Sequence, residues 1–324
     1  MGLGVALWEL AMDGLGMGAL EMGDLGMPGM EVAGSGLHSW MLAIAIAVAF
    51  LGRSGWGRFL KLEGLGWRSR WRWAMGAFVV PPLLLANSAL AVLLMGRHCP
   101  MVGPWSGIAS HVIAVAVLGG AIALVSWCAW LQRRDLMRVR AFPEVTVFGD
   151  RVRVAPVARP YAAALGGWRA EVLVTAGAIA QLAPETLAAV LAHERAHVTC
   201  RDPFLFFWLG GLRRLTRWLP HTDALWRELT LLRELRADRL AAATVDPLTL
   251  AEALLTLARS DRWTPDPLTA IGILDGRNLT ERVDALLALD PHRLPSRDRL
   301  DWSGWLSGGA IALLPFLSLI HHQG

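Results

Sequence analysis

LAPETLAAVLAHERAHVTCRDP, residues 182–203, is helical by its local signals. Pro184 suits the first turn, where its missing N–H costs nothing, and Glu185 lies beside it at the positive end of the helix dipole. Residues 187–192 are all apolar, which marks a buried helix, and the helix should end before Pro203. Inside it stands His193-Glu194-Arg195-Ala196-His197, an HExxH. Residues four apart on a helix lie about 40° apart around its axis and one turn along it, so both imidazoles reach one metal ion. Glu194 projects beside them, placed to take a proton from an attacking water. The same five letters also arise on polar helix faces, where the histidines are simply solvated. The apolar run before them argues against that, because a buried histidine pair needs a polar partner.

A catalytic zinc takes three protein ligands, so a third is expected elsewhere. Between Pro220 and Pro247 lies a proline-free helical stretch, TDALWRELTLLRELRADRLAAATV, containing Glu234-Leu235-Arg236-Ala237-Asp238. Glu234 and Asp238 share a face. Glu234 can bind the metal. Asp238 can accept the outer ring N–H of a ligating histidine and fix its tautomer. Ala237 is small enough for close approach to the HExxH helix. Taken alone, this segment is a surface helix with carboxylates among Arg233, Arg236 and Arg239. Its position 37 residues after His197 favours the site reading, with His193, His197 and Glu234 as ligands of one zinc ion and Glu194 as the base.

The composition asks for a membrane. Of the 324 residues, 54% are hydrophobic and only 18% charged, with a mean hydropathy of +0.42, against about 25% charged in ordinary soluble domains. Four stretches lack Asp, Glu, Lys and Arg and approach the ~20 apolar residues that a bilayer helix needs. They are about 35–52, 74–96 (with Pro81 and Pro82), 108–131 and 302–320. Trp40, Trp73, Trp105, Trp130 and Trp302 lie near their ends, as an interfacial belt requires. Between the first two spans, Arg53, Arg58, Lys61, Arg68, Arg70 and Arg72 face only Glu63. Arg133, Arg134, Arg138 and Arg140 follow the third span. The positive-inside rule then puts both segments in the cytosol, both termini outside, and a cytosolic domain over about 132–300, in a cell (inner or plasma) membrane. Orientation and anionic lipid account for the net charge of +4 and the pI near 9.6, so direct nucleic-acid binding is not needed.

The opening 34 residues, rich in Met and Gly and without Lys or Arg, read as an extracytoplasmic disordered tail, or as an over-long start before Met30 or Met41. They lack the basic region of a signal peptide. Cys99, Cys128 and Cys200 are too scattered for a disulfide framework. EVTVFG (144–149), RVRVAPV (151–157) and AEVLVTAG (170–177) read as strands. PFLFFWLGGL, 203–212, is too short to span; core and membrane surface suit it equally. His111 and His221 read as a packed span residue and a loop residue. Asp275-Gly276 reads as a turn and not as a site-2-protease motif, because RNLTER follows it.

The two motifs, in VLVTAGAIAQLAPETLAAVLAHERAHVTCRDP (172–203) and RWLPHTDALWRELTLLRELRAD (217–238), followed by ERVDALL (281–287), resemble membrane metallopeptidases of the β-lactam-sensor (BlaR/MecR) type, related to the HtpX and CAAX-prenyl endopeptidase group. The resemblance implies a mostly α integral membrane protein with four transmembrane helices. A cytosolic α+β gluzincin-type zinc peptidase domain would sit between the third and fourth. It implies zinc bound by His193, His197 and Glu234, Glu194 as general base, and AEVLVTAG as an edge for an extended peptide. The sensors continue into a penicillin-binding domain; this chain stops at Gly324, so β-lactam binding is not expected. Two functions follow. One is an endopeptidase acting on a protein or peptide, such as a winged-helix transcriptional repressor, in regulated proteolysis. The other is a membrane transducer or scaffold that binds such a partner without turnover, which would have no need of a base at Glu194.

Overall fold

The computed structural model describes residues 37–59, 66–95, 104–260 and 276–289. Three long helices come first: α1 (Leu37–Phe59), α2 (Trp67–Met95) and α3 (Pro104–Arg140). Among the described residues, two helical segments are long and apolar enough to cross a membrane, Trp67–Leu94 and His111–Arg140. Both outrun the apolar stretches that announce them. α2 begins at Trp67, seven residues before the expected 74, and α3 continues through Gln132 to Arg140, past the expected 131. α1 runs on to Phe59, beyond the expected 52, while its described apolar part, Ala43–Gly55, is short for a span. The fourth expected span, 302–320, lies outside the described residues, as do Asp275 and the first 36 residues.

The expected loop of 53–73 is therefore mostly helix. Two of its arginines have partners on the domain that follows. Arg53, fully buried in α1, donates to Thr222 Oγ1 at 3.0 Å and to the Phe78 carbonyl at 3.0 Å. Arg70 grips Glu228 at 2.8 and 3.1 Å and Glu281 at 2.8 Å.

Four strands follow: β1 (Glu144–Val147), β2 (Asp150–Ala155), β3 (Ala162–Gly166) and β4 (Ala170–Thr175). They form one sheet in the order β1-β2-β4-β3, antiparallel except for the parallel β2–β4 pair. β3 is an addition to the three strands expected. Its sequence, AAALG, has no β-branched or aromatic residue to announce it. It forms because β4 offers it a full antiparallel register, from Ala162↔Val174 to Gly166↔Ala170. This corrects the assignment of the edge. AEVLVTAG contains β4, which is paired on both sides; the edge beside the HExxH helix is β3. Gly166 has φ +128, and a Cβ there would lie 2.9 Å from the Arg169 carbonyl oxygen, so the turn into β4 requires glycine.

The remaining helices are α4 (Ala176–Gln181), α5 (Pro184–Thr199), α6 (Asp202–Leu215), α7 (Thr222–Ala241), α8 (Pro247–Ser260) and α9 (Gly276–Leu287). α5 is the HExxH helix and the middle layer. Leu187 and Leu191 pack it under Val152 and Val174 of the sheet. Ala189 and Val190 pack it on Ala241, Leu250, Leu254 and Leu286 of α7, α8 and α9. A third cluster joins the domain to α2: Trp71, Met75 and Phe78 interleave with Leu205 and Leu209 of α6 and with Leu225, Leu229 and Leu232 of α7.

Leu229 is fully buried at that joint. Leu229→Ala should cost about 2–5 kcal/mol, read as a lower melting temperature of the purified protein. Leu248→Ala, at a side chain 62% exposed, should leave the melting temperature nearly unchanged.

Candidate metal centre

α5 and α7 lie side by side, and buried Ala237 gives α7 the small surface that close approach needs. The contact brings together His193, His197 and Glu234, whose ligand atoms all lie within 4.8 Å of one another. His193 Nε2 and His197 Nε2 are 3.1 Å apart. Glu234 Oε2 lies 3.3 Å from the first, and Glu234 Oε1 lies 3.6 Å from the second. The rings stand nearly perpendicular, at 87°. Both histidines are buried, while Glu234 is partly open.

Behind each ring stands another carboxylate. His193 Nδ1 is 2.9 Å from Asp238 Oδ1, at an angle poor for a hydrogen bond. His197 Nδ1 is hydrogen-bonded to Asp202 Oδ2 at 2.7 Å. A proton held on Nδ1 leaves the Nε2 lone pair facing inward, the form a metal ligand needs. Each carboxylate is in turn held by arginine. Arg282 of α9 forks onto Asp238 at 2.7 and 2.8 Å and reaches Glu234 Oε2 at 3.2 Å. Arg233 donates to Glu234 Oε1 at 2.8 Å. Arg236 is buried against Asp202. Its guanidinium also sits 5.0 Å from the Trp71 ring centroid on α2.

The charges explain the titration. Burial pushes the His193 imidazole down, but the Asp238 and Glu234 carboxylates outweigh it and hold its pKa up at about 9. His197 is likewise raised against its burial, by Glu234 and Asp202. Burial would raise Glu234, yet Arg233, His197 and Arg282 hold it well below the usual carboxylate range. Asp202 and Asp238 are depressed by Arg236 and Arg282, again against burial. Two imidazole nitrogens turned towards each other over an ionised carboxylate form a cavity that suits a cation. An N,N,O donor set of this kind fits zinc.

Glu194 does not join the three donors. Its Oε2 accepts the Ala164 N–H of β3 at 2.7 Å. In the β3–β4 register, Tyr161 bonds Thr175 through its carbonyl, so the polar groups of Ala162, Ala164 and Gly166 turn away from β4. The free edge of the sheet thus meets the expected base. His221 caps α7 in a left-handed conformation, exposed. His111 lies in α3.

Sequence reading left Asp202, Ala164 and Arg282 out of the site. Asp202 was readable in principle, because it opens the helix after HExxH, five residues past His197. Arg282 stands in ERVDALL, but only packing shows that it crosses to Asp238. The arginines around ExxAD are also not a solvated fringe, since Arg236 is 2% exposed.

A buried HExxH helix under a mixed sheet, facing a carboxylate from a second helix, defines the class as a metallopeptidase. Residues 134–292, just under half of the chain, match the family model described as Peptidase family M48. M48 peptidases are zinc metalloproteases. No curated protein and no solved structure matches the chain.

Asp202→Asn would keep the volume but remove the charge that orients His197. It should weaken zinc binding about 10- to 100-fold, measured by competition with a chromogenic chelator. Unchanged affinity would mean that Asp202 does not orient the ring.

Proposed function

We propose that this chain is a membrane-embedded, zinc-dependent endopeptidase that cuts a cytosolic or membrane-proximal protein in regulated proteolysis. The observation that carries the reading is the convergence of His193 Nε2, His197 Nε2 and the Glu234 carboxylate within 4.8 Å, with Glu194 tied to the sheet edge beside them. His193, His197 and Glu234 are the ligands. Asp238 and Asp202 hold the two imidazoles in register. When bound, zinc polarises the scissile carbonyl and makes water acidic enough to attack near neutral pH.

The chain's own groups do the rest. An extended substrate adds to the free edge of β3, its main chain meeting the outward polar groups of Ala162 and the Ala164 carbonyl, while the Ala164 N–H stays with Glu194. That pairing places the scissile bond over α5. Glu194 takes the proton of the attacking water and hands it to the leaving amine. The Ala164 N–H keeps the Glu194 carboxylate aimed while it is ionised. Arg233 and Arg282 stabilise the Glu234 charge without entering the reaction.

The membrane setting rests on the apolar segments Trp67–Leu94 and His111–Arg140 and on the basic residues at their ends nearer the domain. In this reading, the spans at 35–52, 74–96, 108–131 and 302–320 leave both termini outside and the domain of 132–300 in the cytosol. A winged-helix repressor is the partner indicated by the resemblance to the sensor type.

Glu194→Gln keeps an acceptor for Ala164 but removes the base. Cleavage should fall at least about 10²-fold, while zinc content stays at the level of the unaltered protein. Comparing cellular proteins with and without this variant identifies the substrate as the band or peptide cut only by the active form. Full activity in Glu194→Gln would overturn the mechanism. Stripping the metal with a chelator should likewise abolish cleavage, and added zinc should restore it.

A further inference from the structure

Helix α6 is apolar on the wrong side for a domain bathed in water. Residues 203–212, PFLFFWLGGL, carry no charge. Leu205, Phe206 and Leu209 fill the core below. The opposite side presents Phe204, Phe207 and Trp208, of which Trp208 is 45% exposed. An outer helix in water carries polar side chains there. The patch continues onto the β3–β4 turn. Trp168, 58% exposed, meets Phe204 edge-on at 5.2 Å, and Phe204 meets Trp208 at 6.4 Å. Arginines rim it: Arg201 lies 3.8 Å over the Trp168 ring, and Arg214 and Arg217 are exposed at the far end of α6.

Two contacts fix the depth of this patch. A Cβ on Gly211 would lie 3.8 Å from Val125 of α3. Val125 precedes Leu131, the end of the apolar body, by six residues, or about 9 Å along the helix. Gln132, the next residue, donates to the Gly166 carbonyl of β3 at 2.7 Å. α3 is bare around these contacts: Ile122, Trp127 and Trp130 are each more than half exposed.

We propose that the outward face of α6, together with Trp168, is sunk into the bilayer leaflet on the peptidase side, at the boundary between headgroups and acyl chains. Arg201, Arg214 and Arg217 lie at the level of the lipid phosphates. The continuity with α3 selects this occupant: lipid that covers α3 at Val125 reaches the adjoining α6 face, and helices of this composition settle about 5–10 Å into the interface. This inference rests on the membrane reading proposed above and deepens it.

The test uses the full chain in vesicles of phosphatidylcholine and phosphatidylglycerol, with Cys99, Cys128 and Cys200 replaced. Single spin labels are placed through Trp208→Cys, Phe207→Cys and Trp168→Cys, with Ile122→Cys on α3 and Leu248→Cys on α8 as references. Variants that melt like the parent are compared by their collisions with oxygen, which concentrates in lipid, and with a water-soluble nickel chelate. Labels at 208, 207 and 168 should favour oxygen as the label at 122 does, and the label at 248 should favour nickel. If 122 stays in lipid while 208, 207 and 168 behave like 248, the docking proposal falls and the membrane reading stands. If 122 is also in water, both fall. Shielding of 208 from both reagents, as a second copy of the chain would produce, overturns the docking proposal as well.

Discussion

Everything in the candidate centre depends on holding two imidazole nitrogens 3.1 Å apart beside a carboxylate in a buried place. Left to themselves, these groups would turn away, take up protons or admit water. They stay because each has a fixed opponent. Asp238 and Asp202 stand behind the rings, and Arg282, Arg236 and Arg233 stand behind the carboxylates. Charge is thus matched in alternating layers from the centre outward. Such networks are costly when one member is missing and rigid when all are present. The rigidity suits a catalyst whose donors must not move between turnovers.

The outermost layer of that network reaches the long N-terminal helices. Arg236 lies against Trp71, and Arg70 joins α2 to Glu228 on α7 and to Glu281, the neighbour of Arg282, on α9. Both histidines are therefore only a few contacts from α2: His197 through Asp202 and Arg236, and His193 through Asp238 and Arg282. Arg53 fastens α1 to the start of α7 in the same manner. The long N-terminal helices are thus part of the scaffold around the three donors.

The centre was legible because its chemistry is encoded at short range. His193 and His197 fall on one helical face with Glu194 beside it, and Glu234 and Asp238 share a face of another helix, so periodicity alone pairs the histidines and pairs the carboxylates. The meeting of the two helices is a long-range fact, suggested by the resemblance and visible only in the packing around Ala237. β3 was missed because AAALG has no intrinsic preference for a strand; it is made one by β4. The reach of α2 back to Trp67 was missed for the opposite reason. WRSRWRW looks like a charged loop beside an apolar run, whereas its Arg70, Trp67 and Trp71 find partners on α7 and α9. Hydropathy locates the apolar body of such a helix and is silent about a polar extension with partners of its own.

The stretch matched to the peptidase family begins at residue 134, but Trp71, Met75 and Phe78, which complete the cluster around Leu225, Leu229 and Leu232, come from α2. Excising the matched stretch would strip that cluster of its lid and leave a row of leucines facing solvent, beside Glu228 without its arginine. Such a fragment would be sticky and short of stability even with every metal-binding donor present. A self-sufficient piece of this chain has to begin upstream, at α2, whose Trp71, Met75 and Phe78 complete the cluster.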